Sequence, residues 1–134
     1  MANYLLDTNH ASAAFRKLVK PQDKLQSAAG DAFFLCRPSV GELWFMIFNS
    51  ERVEENHRDL VRFLQTFRHV EFDADAAVEF GRIKFELRRI GRPIPDVDVQ
   101  IASIARVQEM TLLTADTHFA SVPGLKTENW LGEK

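Results

Sequence analysis

The sequence predicts an α/β fold: a three-layer α/β/α sandwich around a central, mainly parallel sheet, in one domain over residues 1–134. Three observations predict it. Short apolar runs alternate with amphipathic helical segments along the whole chain. The first run, Tyr4-Leu5-Leu6, has no polar alternation, as expected of a strand buried on both faces. No repeat, low-complexity segment or long linker divides the sequence.

Taken in order, Tyr4–Leu6 is the first strand, and it stops at Asp7. Thr8 or Asn9 can cap the helix expected over Ala11–Leu18, because a side-chain oxygen there accepts an orphan backbone N–H. Lys17 to Gly30 reads as polar helical turns stopped by Gly30. Ala32–Cys36 is the second strand. Arg37-Pro38-Ser39 is a break, with Ser39 capping a largely buried helix over Val40–Phe48. Leu60, Val61, Leu64 and Phe67 give Glu54–Phe67 a helical period. His69–Phe72 is a strand. A long helix follows Asp73 with Ala77, Phe80, Ile83, Leu87 and Ile90 on one face, and Gly91 ends it. The prolines of Pro93-Ile94-Pro95 disfavour helix before them, so this is an extended connector. Asp96–Met110 is the last long helix, with Val97, Ile101, Ile104, Ala105 and Val107 turned inward. Thr111–Thr114 is a strand, Thr117–Ala120 a helical turn and Leu125–Glu128 a final strand.

Composition excludes several classes. Hydrophobic residues make up 46% and charged residues 27%, as in ordinary soluble domains. No apolar run approaches the roughly 18–20 residues of a membrane span, and no secretory leader is visible, so a cytoplasmic protein is expected. The single cysteine, Cys36, excludes an internal disulfide and is expected to be buried and inert. A net charge of −2 leaves nucleic-acid binding to local basic patches.

The acids carry the chemistry. Asp7 and Asp116 each follow a buried strand, while Glu42 and Asp98 are each expected in the first turn of an apolar helix. In a parallel α/β sheet, strand carboxyl ends and helix amino ends share one edge, where ligands bind. Helix dipoles favour an acid at a helix start one at a time. They do not explain acids at every corner of one edge. Clustered carboxylates repel, and a divalent cation relieves the repulsion. Oxygen ligands without cysteine or histidine at zinc spacing point to Mg²⁺ or Mn²⁺.

The stretches YLLDTN, PSVGELWF, GRPIPDVDVQIASIA and LLTADTHFASVPGL resemble, in order, the four motif regions of the PIN-domain nucleases, most closely the VapC-type toxins of bacterial toxin–antitoxin pairs. The resemblance runs nearly end to end. It implies a metal-dependent endoribonuclease acting on a structured RNA and restrained by a small antitoxin. It makes Asp7, Glu42, Asp98 and Asp116 the acidic cluster. Asp7 and Asp98 are expected as principal metal ligands, with Glu42 and Asp116 holding metal waters or a second ion. Thr8, Thr114 and Asp96 stand where the family has polar residues that support the acids.

Arg82, Lys84, Arg88, Arg89 and Arg92 gather at the end of the long helix and suit RNA phosphates; interleaved Glu79 and Glu86 also suit a solvated face. Lys17, Lys20 and Lys24 form a second, weaker patch. His10 and His118 flank motif acids and read as ordinary residues rather than general bases, as do His57 and His69. Trp44, Phe45 and Phe48, with Val53 and Leu60 nearby, suit core packing or a groove for an antitoxin helix, and a homodimer is expected. Two other functions compete. One is a catalytically silent scaffold that binds RNA or protein. The other is a haloacid-dehalogenase-like phosphatase, whose Asp-x-Asp would need an acid where Asn9 stands.

Overall fold

A computed structural model describes residues 2–16 and 30–131. The described elements are β1 (Asn3–Leu6), α1 (Thr8–Phe15), β2 (Ala32–Cys36), α2 (Arg37–Phe48), α3 (Val53–Leu64), β3 (Arg68–Val70), α4 (Ala74–Arg89), α5 (Asp96–Val107), β4 (Thr111–Leu113), a 3-10 turn (Thr117–Ser121) and β5 (Thr127–Glu128). All five strands pair in parallel, in the order β3-β2-β1-β4-β5. β1 is central: Leu5 registers with Phe34 on one side and Leu112 on the other.

Side chains alternate across this sheet and build two cores. Leu5, Cys36 and Leu112 face Ile83 and Leu87 of α4 and Ile101 and Ile104 of α5. Leu6, Leu35 and Leu113 face Ala11 of α1, Leu43 and Ile47 of α2 and Leu60 of α3. Leu5 and Leu6 are both fully buried, which is why the first run lacks alternation. The sandwich expected from the sequence is the observed architecture. No helix among the described residues is long and apolar enough to cross a membrane.

Several boundaries differ for identifiable reasons. Asp7, not Thr8 or Asn9, caps α1: its backbone is extended and its Oδ1 accepts the His10 N–H at 2.7 Å. α2 starts at Arg37, earlier than expected, with Pro38 inside its first turn. Proline needs no N–H partner there and its fixed φ already suits a helix. Ser39 is therefore a buried helical residue and not the cap, and Glu42 lies in the second turn instead of the first. α2 is also less buried than its composition suggests, because Phe45 and Phe48 are 73% and 64% exposed. On α4, Ala76 takes the inward place expected for Ala77, and Ile90 is exposed beyond the helix. Gly91 follows at φ +70, the left-handed turn that glycine adopts freely. Cys36 is buried, and burial first of all raises its thiol pKa, which keeps it unreactive. The expected turns over Lys17–Gly30 lie outside the described residues except at their end.

Candidate active site

Strand order creates the crevice. The chain leaves β1 toward β2 on one side, while β4 continues to β5 on the other. Parallel sheets open between two such strands at their carboxyl ends. Asp7 follows β1, Asp116 follows β4, and the Asp7 N–H bonds the Leu113 carbonyl at 3.0 Å. Asp98 enters from the first turn of α5, and Glu42 from α2.

Each acid is held by local chain geometry. Asp7 is buried, with one carboxylate oxygen engaged by the first turn of α1. Glu42 accepts a hydrogen bond from the Thr8 hydroxyl. Asp116 caps the 3-10 turn, its Oδ1 accepting the His118 N–H at 2.9 Å. Its own N–H donates to Oγ1 of buried Thr114 at 2.9 Å, so Thr114 acts on this acid through the backbone. Asp98 is half-buried. Burial, and then the negative charges of Asp116, Glu42 and Asp7, raise its carboxyl pKa above the usual range, while His118 opposes the rise. Asp98 thus feels the other three acids at once. Asp98, Asp116 and His118 each present one ligand atom, all within 4.8 Å of one another.

Asp96 does not join this group. Its exposed carboxylate pairs with Lys84 Nζ at 3.0 Å and ties the start of α5 to α4. Two histidines, read as ordinary from the sequence, touch the acids. His118 Nδ1 lies 3.2 Å from Asp116 Oδ1 and 3.8 Å from Asp98 Oδ2. His10 is buried: Nε2 accepts the Trp130 N–H at 3.1 Å, and Nδ1 lies 3.3 Å from Asp7 Oδ1 without hydrogen-bond geometry. Their placement beside Asp7 and Asp116 in sequence was the available signal.

The PIN domain family model matches residues 4–125. Ribonuclease VapC2 of Haemophilus influenzae is 31% identical over 98% of this chain and 100% of its own length. The chain is a VapC-type PIN domain. The tRNA(fMet)-specific endonuclease VapC of Shigella flexneri is also 31% identical, over 97% of this chain and 99% of that protein. Among solved structures, VapBC2 from Rickettsia felis bound to a DNA fragment from their promoter superposes with a TM-score of 0.87 at 28% identity, covering 96% of this chain and 98% of that one. The resemblance carried by the four motif stretches is therefore correct.

The basic residues of this PIN domain divide into two groups. Arg82 pairs with Glu79 at 2.6 Å, and Lys84 with Asp96. Arg88, Arg89 and Arg92 make no ion pair among the described residues; Arg89 lies over the Phe85 ring. Lys17, Lys20 and Lys24 lie outside the described residues.

Proposed function

We propose that this PIN domain is a divalent-metal-dependent endoribonuclease that cleaves a structured RNA in the cytoplasm, as the toxin of a toxin–antitoxin pair. The observation that carries the reading is Asp98, a half-buried acid whose ionisation three neighbouring acids oppose. The carboxylates of Asp116, Glu42 and Asp7 around it are oxygen donors, the donor chemistry that suits Mg²⁺ or Mn²⁺. Asp7 and Asp98 would hold the ion, with Glu42 and Asp116 beside them. When bound, such an ion stabilises negative charge on a phosphodiester and acidifies a water.

The chain's own residues do the rest. Thr8 fixes Glu42, and the first turn of α1 fixes Asp7, so these acids need little reorganisation. Thr114 holds the loop that carries Asp116. Unpaired Arg88, Arg89 and Arg92 supply cations for RNA phosphates, which position a substrate without reading its sequence. Transfer RNA is the first substrate to test, because the Shigella relative is a tRNA(fMet)-specific endonuclease.

The antitoxin reading draws on the VapBC complexes among the structural relatives. Trp44, Phe48 and His57 form an aromatic patch, with Trp44 and His57 rings 4.7 Å apart, and Phe45 is exposed on the same helix as Trp44 and Phe48. We assign this surface to the apolar face of an antitoxin helix, and we expect the toxin to be a homodimer. Leu60 is fully buried, so it belongs to the core and not to this groove.

The test is cleavage of a tRNA pool by purified protein with Mg²⁺ or Mn²⁺. Cleavage that stops with EDTA and returns with added metal is expected. Undiminished cleavage in EDTA overturns the metal reading; release of phosphate from small esters without RNA cleavage favours a phosphatase.

A further inference from the structure

We propose that His118 is a further protein ligand of the ion held at Asp7 and Asp98, reaching it from beside Asp116, and that its imidazole makes the site favour Mn²⁺ over Mg²⁺. The inference deepens the metal-dependent reading above and rests on it.

The geometry is local and rigid. His118 sits two residues past Asp116, with Thr117 between, in a 3-10 turn that Asp116 itself caps. The bond from the His118 backbone N–H to Asp116 Oδ1 therefore fixes the Asp116 carboxylate against the backbone that carries His118. Nδ1 lies 3.2 Å from Asp116 Oδ1 and 3.8 Å from Asp98 Oδ2. Two donors on one octahedral ion with bonds of about 2.1 Å stand about 3.0 Å apart when adjacent and about 4.2 Å apart when opposite. The observed separations are close to those two values, and the ligand atoms of the three residues all lie within 4.8 Å of one another. Nδ1 and the two carboxylates are thus near enough to reach one ion.

The alternative is that His118 only offsets the charge of the acids. The two roles differ chemically. Mg²⁺ is a hard cation that prefers oxygen and retains its waters, whereas Mn²⁺, also an oxygen-preferring ion, accepts an imidazole among its oxygen ligands more readily. A ligating His118 therefore contributes unequally to the two metals. A mere charge partner would affect both alike.

The experiment uses the full chain stripped of metal, titrated calorimetrically with Mn²⁺ and with Mg²⁺. His118→Ala and His118→Gln are compared with the parent, after circular dichroism confirms their fold. Loss of about tenfold or more in Mn²⁺ affinity, with Mg²⁺ affinity changed far less, is the expected result. Pulsed electron paramagnetic resonance on the Mn²⁺-loaded parent should detect hyperfine coupling to an imidazole nitrogen. That coupling should vanish in both variants. Equal losses for the two metals, or no loss for either, overturns the inference and leaves the metal reading standing. So does a parent spectrum without nitrogen coupling. A parent that binds neither ion overturns the metal reading and this inference together.

Discussion

At Asp98, the proposed role as metal ligand and the stability of the metal-free fold make opposite demands. Its carboxyl pKa is raised first by burial and then by the charges of Asp116, Glu42 and Asp7. A raised acid pKa means that the folded state holds its proton more tightly than the unfolded chain. The contribution of Asp98 to the stability of the metal-free protein is then fullest at low pH and is lost as pH rises from the ordinary carboxylate range through the raised value. Melts in EDTA between pH 4 and 7 should show this decline, and Asp98→Asn should flatten it. At neutral pH in EDTA the variant should melt at the parent's temperature or above it, while RNA cleavage is abolished. If Asp98 served only the helix start, Asn would do nearly as well and activity would persist. An active Asp98→Asn protein would thus refute the assignment. Asp7, Asp98 and Asp116 could be picked out from their neighbours alone, because strand ends and helix starts leave local marks. The contacts of His118 and Asp96 could not, because they depend on where a ring or a carboxylate points.

Among the elements, β1 and α2 make opposite demands. Leu5 is fully buried at the centre of the sheet, against two strands and the α4/α5 layer. Leu5→Ala should cost about 2–5 kcal/mol, read as a lower urea midpoint. An unchanged midpoint would mean that β1 is not the core strand. α2 buries Val40, Leu43 and Ile47 but exposes Phe45 and Phe48. Replacing both phenylalanines with serine should change stability by no more than about 0.5 kcal/mol per site, as for other exposed positions. Cleavage should be unaffected and capture by the cognate antitoxin lost. Retained capture would place the antitoxin elsewhere. The apolar composition of α2 marked a helix correctly but overstated its burial, since composition alone does not tell a buried face from an exposed one. Its start was also misplaced, because Arg37-Pro38-Ser39 reads as a break although proline is well tolerated in a first helical turn.

At the scale of the whole molecule, the charges of Asp116, Glu42 and Asp7 oppose the ionisation of Asp98, and a bound cation would relieve that opposition. An ion that binds only the native state stabilises it by about 2.7 kcal/mol at a hundred times its dissociation constant, a rise of roughly 10 °C here. Mn²⁺ should raise the parent melting temperature by that order and Asp98→Asn by little. Equal shifts would point to ions bound away from Asp98. The sequence by itself determined the class of fold, the central place of Tyr4–Leu6 and the acids at one edge, because each follows from local periodicity, capping and the geometry of parallel strands. Only the tertiary structure decided that β1 neighbours β4, so that Asp7 and Asp116 flank one crevice. It also decided that His118 turns toward the acids while Asp96 turns to Lys84. The physical reason is range: strand order and side-chain direction are set by contacts between residues far apart in the chain, which no local pattern encodes.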